Sequence, residues 1–327
     1  MLLSIVMPVF NEAQVLPLTL LELRRVLDDL GCDWEVVFVN DGSRDPTAAI
    51  LDTEAKRDRR IKAIHFARNF GHQLAVTAGL DFASGDAVVV MDADLQDPPD
   101  LLPQMLDLYR EGYDVVSPQR ISRHTDSHLK RWTAQGFYWI MRKMVDPRLQ
   151  PEVGDFRLFS RMAVLNIRQF REQHRFMRGL VAWLGLREVM VPFERRPRAA
   201  GETKYPFWKM LRFAWTAISS FSALPLRMAI SCGIALSVFG ALYSLFSIYQ
   251  ALVLHITVPG WTSLVCIQSL FSGAILLAIG LVGDYVARIY EEAKGRPLYV
   301  VQNTANLAAP PGSARSVVLV DRDTEMD

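Results

Sequence analysis

The stretch Val88-Val-Val-Met-Asp-Ala-Asp-Leu-Gln-Asp-Pro-Pro-Asp100 places four apolar residues directly before a segment with four carboxylates. A short apolar run without polar positions is typical of a strand that is covered on both faces of a parallel sheet. Ligands of such sheets bind at the carboxyl ends of the strands. The stretch therefore predicts a buried strand at Val88–Met91 and a binding site in the acidic segment that follows it.

The first half of the chain repeats this pattern of short apolar runs and helix-like stretches. The apolar runs are Leu2–Met7, Trp34–Val39, Ile61–Phe66, Ala87–Met91 and Asp114–Ser117. The helix-like stretches are Ala13–Leu30, Thr47–Lys56, His72–Ala83 and Pro99–Glu111. Because strands that alternate with helices form βαβ units, we expect an α/β fold with a mostly parallel central sheet.

Composition and missing motifs exclude several functional classes. The formal net charge of the 327 residues is +1, so no bulk charge favours nucleic acid as a partner. The three cysteines form neither a disulfide framework nor a zinc motif. No GxGxxG follows the first strand and no GxxxxGK[ST] occurs, which argues against Rossmann dehydrogenases and P-loop enzymes. The N-terminal apolar run is too short for a signal peptide, so we expect the first domain to be cytosolic.

Two stretches in the last third are long and uncharged. Met228–Leu254 and Thr262–Gly283 contain no Asp, Glu, Lys or Arg, and each exceeds the roughly 20 residues that a bilayer-spanning helix needs. We predict transmembrane helices at 228–254 and 262–287, with a pair of buried core helices as the alternative. Lys and Arg flank the pair but are missing from the connection, so the globular domain and both termini should face the cytoplasm at the inner membrane.

These helices divide the chain. Residues 1–204 form the predicted globular domain. Residues 205–227 combine aromatic side chains with cations, which predicts either an interfacial helix at the membrane or a helix packed on the globular domain. Residues 288–327 become rich in Ala, Pro and Gly after Arg296, so we predict a cytosolic and largely disordered tail.

Acids and amides follow the predicted strands. The residues just after the runs are Pro8–Glu12, Asn40–Ser43, Arg68–Gly71 and Asp92–Gln96. Such side chains suit a nucleotide whose phosphates are carried by a divalent metal, and hard oxygen ligands favour Mg²⁺ or Mn²⁺.

The order of motifs along the chain is more specific than any single one. The motifs are PVFNE (8–12), VNDGS (39–43), RNFGHQLAVTAGLDFASGD (68–86), MDADLQDPPD (91–100), GDFRLFSR (154–161), RFMRGLVAWLG (175–185) and AGETKY (200–205). With the paired apolar stretches, this order resembles the inverting family 2 glycosyltransferases of GT-A fold, specifically the membrane-anchored polyprenyl-phosphate glycosyltransferases. Bactoprenol glucosyltransferases and dolichyl-phosphate mannose synthases belong to this group.

The resemblance implies a role for each matching residue. For the nucleotide sugar, the resemblance implies a wall around the base and ribose that is formed by Pro8, Phe10, Asn11 and Glu12. It also implies that Asp41 reads the base and that Lys204 neutralises the pyrophosphate. For the metal and the donor diphosphate it implies Asp92, Asp94 and Gln96, with Asp94 and Asp155 as the essential catalytic residues. For the acceptor phosphate it implies Arg120 and Arg131. Arg123 of the same basic segment and Arg157 are further candidates, because arginine suits bidentate phosphate binding, and a solvated basic loop is the alternative for the segment.

Several of these assignments have structural alternatives. Asp41 can belong to a simple turn, with Asp45 or Thr47 capping the next helix. An extended backbone would send the side chains of Asp92 and Asp94 to opposite faces, so a shared metal requires a bend there. We interpret Asp97 as a helix N-cap rather than a ligand.

The acceptor side has its own alternatives. A hydroxyl acceptor needs a general base, whereas a phosphate monoester, with a second pKa near about 6, is already an anionic nucleophile. Asp155 either orients the acceptor or acts as base. Arg157 contacts a phosphate or forms an ion pair with Asp155.

The reaction implied is a single inverting displacement that transfers a hexose from a nucleotide sugar to a polyprenyl phosphate. UDP-glucose and undecaprenyl phosphate are the first choices, and GDP-mannose, a UDP-aminoarabinose derivative and dolichyl phosphate are the alternatives. Relatives suggest a homotetramer. A processive polysaccharide synthase lacks support because no QxxRW motif occurs, and a non-catalytic nucleotide-sugar-binding protein is the remaining alternative.

Overall fold

The computed structural model describes residues 1–121, 153–194, 224–253, 260–307 and 317–319. It contains two compact units, which are described separately. The first comprises Met1–Ala217 and Arg296–Asp327, and the second comprises Ile218–Gly295.

The first unit is built on strands and helices that alternate along its N-terminal half. The strands are β1 (Leu2–Val9), β2 (Asp33–Asn40), β3 (Ile61–Phe66), β4 (Ala87–Val90), β5 (Val115–Arg120), β6 (Arg157–Ser160), β7 (Glu188–Phe193), β8 (Tyr299–Ala305) and β9 (Val317–Leu319). The helices are α1 (Leu16–Asp29), α2 (Thr47–Arg57), α3 (His72–Phe82), α4 (Leu102–Arg110), α5 (Arg161–Ile167) and α6 (Met177–Leu184), and a 3₁₀ turn at Pro99–Leu101 precedes α4. The five strands and four helices predicted in the N-terminal half are therefore confirmed.

The strands form one nine-stranded sheet in the order β7-β5-β6-β4-β1-β2-β3-β8-β9. β4, β1, β2 and β3 are parallel neighbours, which confirms the predicted α/β fold. β6 is antiparallel to β4 and β5, and β8 is antiparallel to β3. The carboxyl ends of β1 to β4 therefore lie along one edge, where the acids and amides follow them.

Both faces of the central strands are covered, which explains their continuous apolar sequence. Ile5 and Met7 of β1 pack with α1 and α4, whereas Val6 packs on the opposite face with Val76 and Leu80 of α3. Adjacent strand residues point to opposite faces, so a strand buried on both sides carries no polar alternation.

The prediction of a disordered tail is wrong for residues 296–307. β8 pairs with β3, and both Leu298 and Tyr299 are buried. The Tyr299 hydroxyl donates a hydrogen bond to Asp81 Oδ2 at 2.6 Å. Without β8, the edge of β3 would leave backbone N–H and C=O groups unpaired, and the apolar segment before the Ala-rich and Pro-rich residues pairs with it.

The second unit consists of two long helices, α7 (Leu224–Leu252, 29 residues) and α8 (Trp261–Ala293, 33 residues). At 1.5 Å per residue they are about 43 and 50 Å long. Each contains a span long and apolar enough to cross a membrane, at Pro225–Tyr243 and Leu270–Ala293. Apolar side chains along them, such as Ile234, are exposed, which disfavours buried core helices. Most of the predicted interfacial segment 205–227 lies outside the described residues, and the orientation of the helices stays a prediction.

Candidate active site

The acidic loop after β4 turns back on itself. Leu95 has a φ of 59°, a left-handed conformation that is uncommon for a residue with a branched side chain. The Asp92 backbone N–H donates to Asp97 Oδ2 at 3.3 Å, and the Gln96 N–H donates to Asp94 Oδ1 at 3.1 Å. The bend required for a shared site of Asp92 and Asp94 is therefore present. The interpretation of Asp97 as a helix N-cap is wrong, because Pro98 occupies the N-cap and Asp97 stabilises the loop.

The loop presents three side chains with two kinds of oxygen, carboxylate and amide, that suit a hard divalent cation. Asp92 and Asp94 supply carboxylates, and the side-chain Oε1 of Gln96 is buried without a hydrogen-bond partner. An unsatisfied buried acceptor costs about 1–3 kcal/mol, so an oxygen left in this state fits the role of a ligand. Among the described residues no group of three His, Cys, Asp or Glu side chains that could hold a metal ion is gathered, and the candidate donors of this loop are two carboxylates and one amide. The donor set fits Mg²⁺ or Mn²⁺.

The loops after β1 and β2 are joined to each other. Asn11, with a φ of 56°, accepts a hydrogen bond from the Arg44 N–H at 2.8 Å and donates its own N–H to Ser43 Oγ at 2.9 Å. Phe10 beside it is exposed. These loops border a cleft of about 580 Å³. Of the four predicted wall residues, Phe10 and Asn11 line this cleft.

The other two predicted wall residues, Pro8 and Glu12, do not line this cleft. Pro8 is part of β1, and the carbonyl of Glu12 accepts hydrogen bonds from the first turn of α1. Their contact with a nucleotide stays a prediction.

Asp41 anchors the loop after β3. Its two carboxylate oxygens accept the backbone N–H groups of Phe70, at 2.6 Å, and Gly71, at 2.9 Å. Burial raises the pKa of Asp41 although both hydrogen bonds oppose this. The predicted N-cap at Asp45 or Thr47 is wrong, because Pro46 occupies the N-cap of α2; Asp45 Oδ1 accepts the Thr47 N–H at 3.1 Å from the residue before it. The predicted contact between Asp41 and a nucleobase stays a prediction, because Asp41 does not line the cleft.

Asp155 is the centre of a cluster of cationic and amide groups. Arg178 Nε donates to its Oδ1 at 2.9 Å, and Gln73 Nε2 donates to its Oδ2 at 3.0 Å. His72 Nε2 lies 3.2 Å from the same Oδ2. Burial by itself would raise the pKa of Asp155, but the charge of Arg178 and the hydrogen bond from His72 hold that pKa well below its usual range. The side chain is therefore a carboxylate at neutral pH.

His72 connects this cluster with the acidic loop. Its Nε2 lies 3.9 Å from Asp92 Oδ1 as well as next to Asp155. Desolvation would lower the pKa of His72, but the hydrogen bond to Asp155 and the charges of both aspartates raise it. One imidazole thus lies between the residue predicted to bind the metal and the residue predicted to face the acceptor.

The first half of the chain, which contains most strands of the sheet, matches a known protein family. Residues 4–168, which include β1 to β6, match the family model described as glycosyl transferase family 2. The chain belongs to glycosyl transferase family 2.

Two proteins named as glycosyl transferases are similar to this chain over nearly its whole length. The chain is 45% identical to the uncharacterized glycosyltransferase YkcC of Bacillus subtilis (strain 168), covering 92% of this chain and 93% of that one. It is 39% identical to the bactoprenol glucosyl transferase of Shigella phage SfV, covering 93% and 99%. Among solved structures, glucosyl-3-phosphoglycerate synthase from Mycobacterium tuberculosis, in complex with Mn²⁺, UDP and glucosyl-3-phosphoglycerate, is similar with 20% identity and a TM-score of 0.43, covering 66% and 77%.

The family membership confirms two predictions. This glycosyltransferase has the GT-A-like α/β fold with a mostly parallel sheet, and it is an enzyme. The resemblance found in the order of its motifs is confirmed as well.

Only some of the residues predicted to bind the acceptor of this family 2 glycosyltransferase are among the described residues. Arg120 ends β5 close to the Asp155 motif, because a Cβ built at Gly154 would lie 3.6 Å from Arg120 Nη2. Arg157 is buried in β6, donates to Gly154 O at 3.3 Å and lies 3.4 Å from Glu188. The alternative in which Arg157 pairs with Asp155 is wrong, because Arg178 makes that ion pair. Arg123, Arg131 and Lys204 lie outside the described residues.

Three side chains of the Asp155 cluster received no role from the sequence. His72 and Gln73 are the first residues of α3, and Arg178 is the second residue of α6. Gln73 also joins the two helices, since its Oε1 accepts the Met177 N–H at 3.0 Å. All three lie in motifs that carried the resemblance, and His72 follows directly on the loop after β3. Its position just after a strand end was the feature of the sequence that could have identified His72 as a site residue.

Proposed function

We propose that this glycosyltransferase transfers a hexose from a nucleotide sugar to a polyprenyl phosphate, with UDP-glucose as the first-choice donor and undecaprenyl phosphate as the first-choice acceptor. Similarity over nearly the whole chain to proteins named bactoprenol glucosyl transferases supports both choices. The product is a polyprenyl-phosphate-linked sugar for modification of a cell-envelope glycan.

The observation that carries the proposal is the state of Asp155. A hydroxyl acceptor loses a proton as it attacks, and this proton needs a base whose pKa lies near the working pH. Asp155, paired with Arg178 and bonded to His72, has a pKa far below that range. A phosphate monoester needs no such base, because it is already anionic at neutral pH. The cluster therefore supports an anionic acceptor held by cations.

The bond changes of the proposed reaction balance without a base. An oxygen of the lipid phosphate forms a bond to the anomeric carbon of the sugar. The bond from that carbon to the β-phosphate oxygen of the donor breaks, and the nucleoside diphosphate leaves on the opposite side. The configuration at the anomeric carbon inverts. No proton has to be removed from the attacking oxygen.

Each group of residues has a distinct task in this reaction. Asp92, Asp94 and Gln96 would hold a divalent metal ion, which when bound neutralises charge on the departing diphosphate. Arg120 binds the acceptor phosphate, with Arg123 and Arg131 as its predicted partners, because guanidinium groups bind phosphate bidentately. Asp155 orients its cationic neighbours rather than removing a proton.

The helices of the second unit suit this acceptor. A polyprenyl phosphate stays in the bilayer, and α7 and α8 contain spans of the length and composition that a bilayer requires. We place the enzyme in the cytoplasmic membrane with the GT-A domain and both termini in the cytoplasm.

A transfer assay with two matched acceptors tests the proposal. The purified full chain in detergent is incubated with Mn²⁺, radiolabelled UDP-glucose, and either undecaprenyl phosphate or undecaprenol. We expect transfer to undecaprenyl phosphate alone, and loss of transfer in Asp94→Ala. Equal transfer to undecaprenol would overturn the argument from Asp155.

The donor is identified by a thermal-shift screen of UDP-sugars and GDP-sugars with Mn²⁺. A specific donor stabilises the folded state in proportion to ln(1 + [L]/Kd), so UDP-glucose should give the largest shift. A larger shift with GDP-mannose would replace the first-choice donor and leave the acceptor proposal intact.

A further inference from the structure

The cleft beside the loops after β1 and β2 has a wall from the far end of the chain. Besides Phe10, Asn11 and the residues after β2 and β3, it is lined by Gln302 and Asn303 of β8. Residues 67–298, which include both long helices, separate this strand from β3, its partner in the sheet. The family match ends at residue 168 and so does not include β8.

A bulge in β8 brings both side chains to the same cleft. In a regular strand, adjacent residues point to opposite faces, so Gln302 and Asn303 could not share a site. In β8, however, Asn303 pairs with His65 while Val301 pairs with Phe66, which leaves Gln302 as an extra residue. A bulge of this kind re-aims a side chain and occurs often beside active sites.

The strand that carries the two amides is fixed at both ends. At its start, the Tyr299 ring stacks on Phe66 with ring centroids 5.2 Å apart, and its hydroxyl binds Asp81. Beyond its end, Asn306 Nδ2 donates to Ala55 O at 2.6 Å and to Ile61 O at 2.9 Å. Side chains on such a rigid element can hold a ligand with defined geometry.

The cleft is also lined by two cations, Arg44 and Arg68, and by polar groups that are engaged with each other. Asn40 Nδ2 lies 3.0 Å from His65 Nδ1, and His65 Nε2 lies 3.1 Å from Asp52 Oδ1. Within the described part of the chain, by contrast, the Gln302 and Asn303 side chains make no hydrogen bond. Each therefore offers an amide with both donors and an acceptor to a ligand.

The chemistry of this wall suits a neutral, planar group with donors and acceptors along its edge. Phe10 is 43% exposed at the cleft and offers an aromatic face for stacking. A nucleobase has these properties, whereas the phosphates of a nucleotide suit the two cations of the same cleft, Arg44 and Arg68. We propose that Gln302 and Asn303 read the base edge of the donor nucleotide and so contribute to donor specificity. This inference rests on the proposed function, since it assigns part of the same donor site.

The test measures base selectivity rather than affinity alone. Dissociation constants for UDP and GDP, each with Mg²⁺, are measured by calorimetry on the full chain in detergent. We expect Gln302→Ala and Asn303→Ala each to raise the Kd for the preferred nucleotide about three- to ten-fold, the effect of one hydrogen bond. The ratio of the two dissociation constants should move toward one. Thr304→Ala, in the same strand but outside the cleft, should leave both constants unchanged.

Isosteric variants show whether a change in nucleotide selectivity results from the lost amide groups or from a loss of folding. Gln302→Glu and Asn303→Asp keep the side-chain size and remove the amide donors, so they should shift the same ratio while the thermal midpoint without ligand stays at the parent value. An unchanged ratio in all four variants overturns the inference, and so does an equal loss of affinity for both nucleotides. If the parent binds and transfers a sugar while the ratio does not move, only this inference fails. If the parent binds neither nucleotide, the proposed function fails with it.

Discussion

Replacement of Gly42 by alanine should distort the donor side of the site. Gly42 follows β2 with a φ of +67°, and a Cβ there would lie 2.6 Å from both Arg68 C and Asn69 N. These are backbone atoms, so no side-chain rotation relieves the overlap. The loop after β3 would have to move, and its Phe70 and Gly71 N–H groups are the partners of Asp41.

Gly31 provides a matched control for the size of this effect. It has nearly the same φ, +63°, but a Cβ there would meet nothing within 4 Å. Alanine at either position adopts a left-handed conformation at a cost of about 1–2 kcal/mol. At Gly42 the overlap with ordinary contact distance is about 0.8 Å, and such overpacking costs a further ~1–3 kcal/mol. Gly42→Ala should therefore be less stable than Gly31→Ala by that second amount.

Thermal unfolding and nucleotide binding of the full chain measure the two consequences. Each kcal/mol corresponds to about 2–4 °C in a domain of this size, so Gly42→Ala should unfold roughly 2–12 °C below Gly31→Ala. It should also bind UDP more weakly than the parent, whereas Gly31→Ala should bind it equally well. Equal midpoints and equal UDP affinities in the two variants would refute the reasoning.

Three further substitutions probe other parts of the enzyme. Asp155→Asn removes the charge that orients its cationic neighbours, so transfer should fall at least about 100-fold with UDP affinity nearly unchanged; transfer within two-fold of the parent would contradict this role. Gln96→Met removes an unsatisfied buried oxygen, so the thermal midpoint without metal should stay level or rise while the Mn²⁺ needed for half-maximal transfer rises about ten-fold, and an unchanged Mn²⁺ requirement would speak against Gln96 as a ligand. Tyr299→Phe removes the hydrogen bond to buried Asp81 and should cost about 1–3 kcal/mol in thermal unfolding, whereas Tyr290→Phe, at an exposed ring, serves as the control and should cost nothing measurable.

The strands and helices of the first half could be predicted because each carries a local signal. A strand covered on both faces is apolar along its whole length, and Leu2–Val9 and Ala87–Val90 show this directly in their sequence. The helices that follow carry apolar residues at helical spacing, as in α1. The acidic loop is predicted to be a binding segment because it follows the end of a buried strand.

β8 was missed because its role depends on a distant partner. The apolar residues 298–301 are too few to identify a strand beside a segment rich in Ala and Pro. Their burial results from the open edge of β3, which comes more than two hundred residues earlier in the chain. The bulge at Gln302 exists only in that pairing.

The amino-acid sequence was sufficient for the family, through the order of its motifs, and for the α/β sheet and the two long apolar helices, because each of these elements rests on residues that are close together in the chain. The tertiary structure was needed for the partners of Asp155 and for the wall formed by β8. His72 and Arg178 are more than one hundred residues apart, and folding alone brings them to one carboxylate. Both side chains lower the pKa of Asp155, and this pKa distinguishes a general base from an orienting group. The shift depends on distance and burial, which cannot be read from a local stretch of sequence.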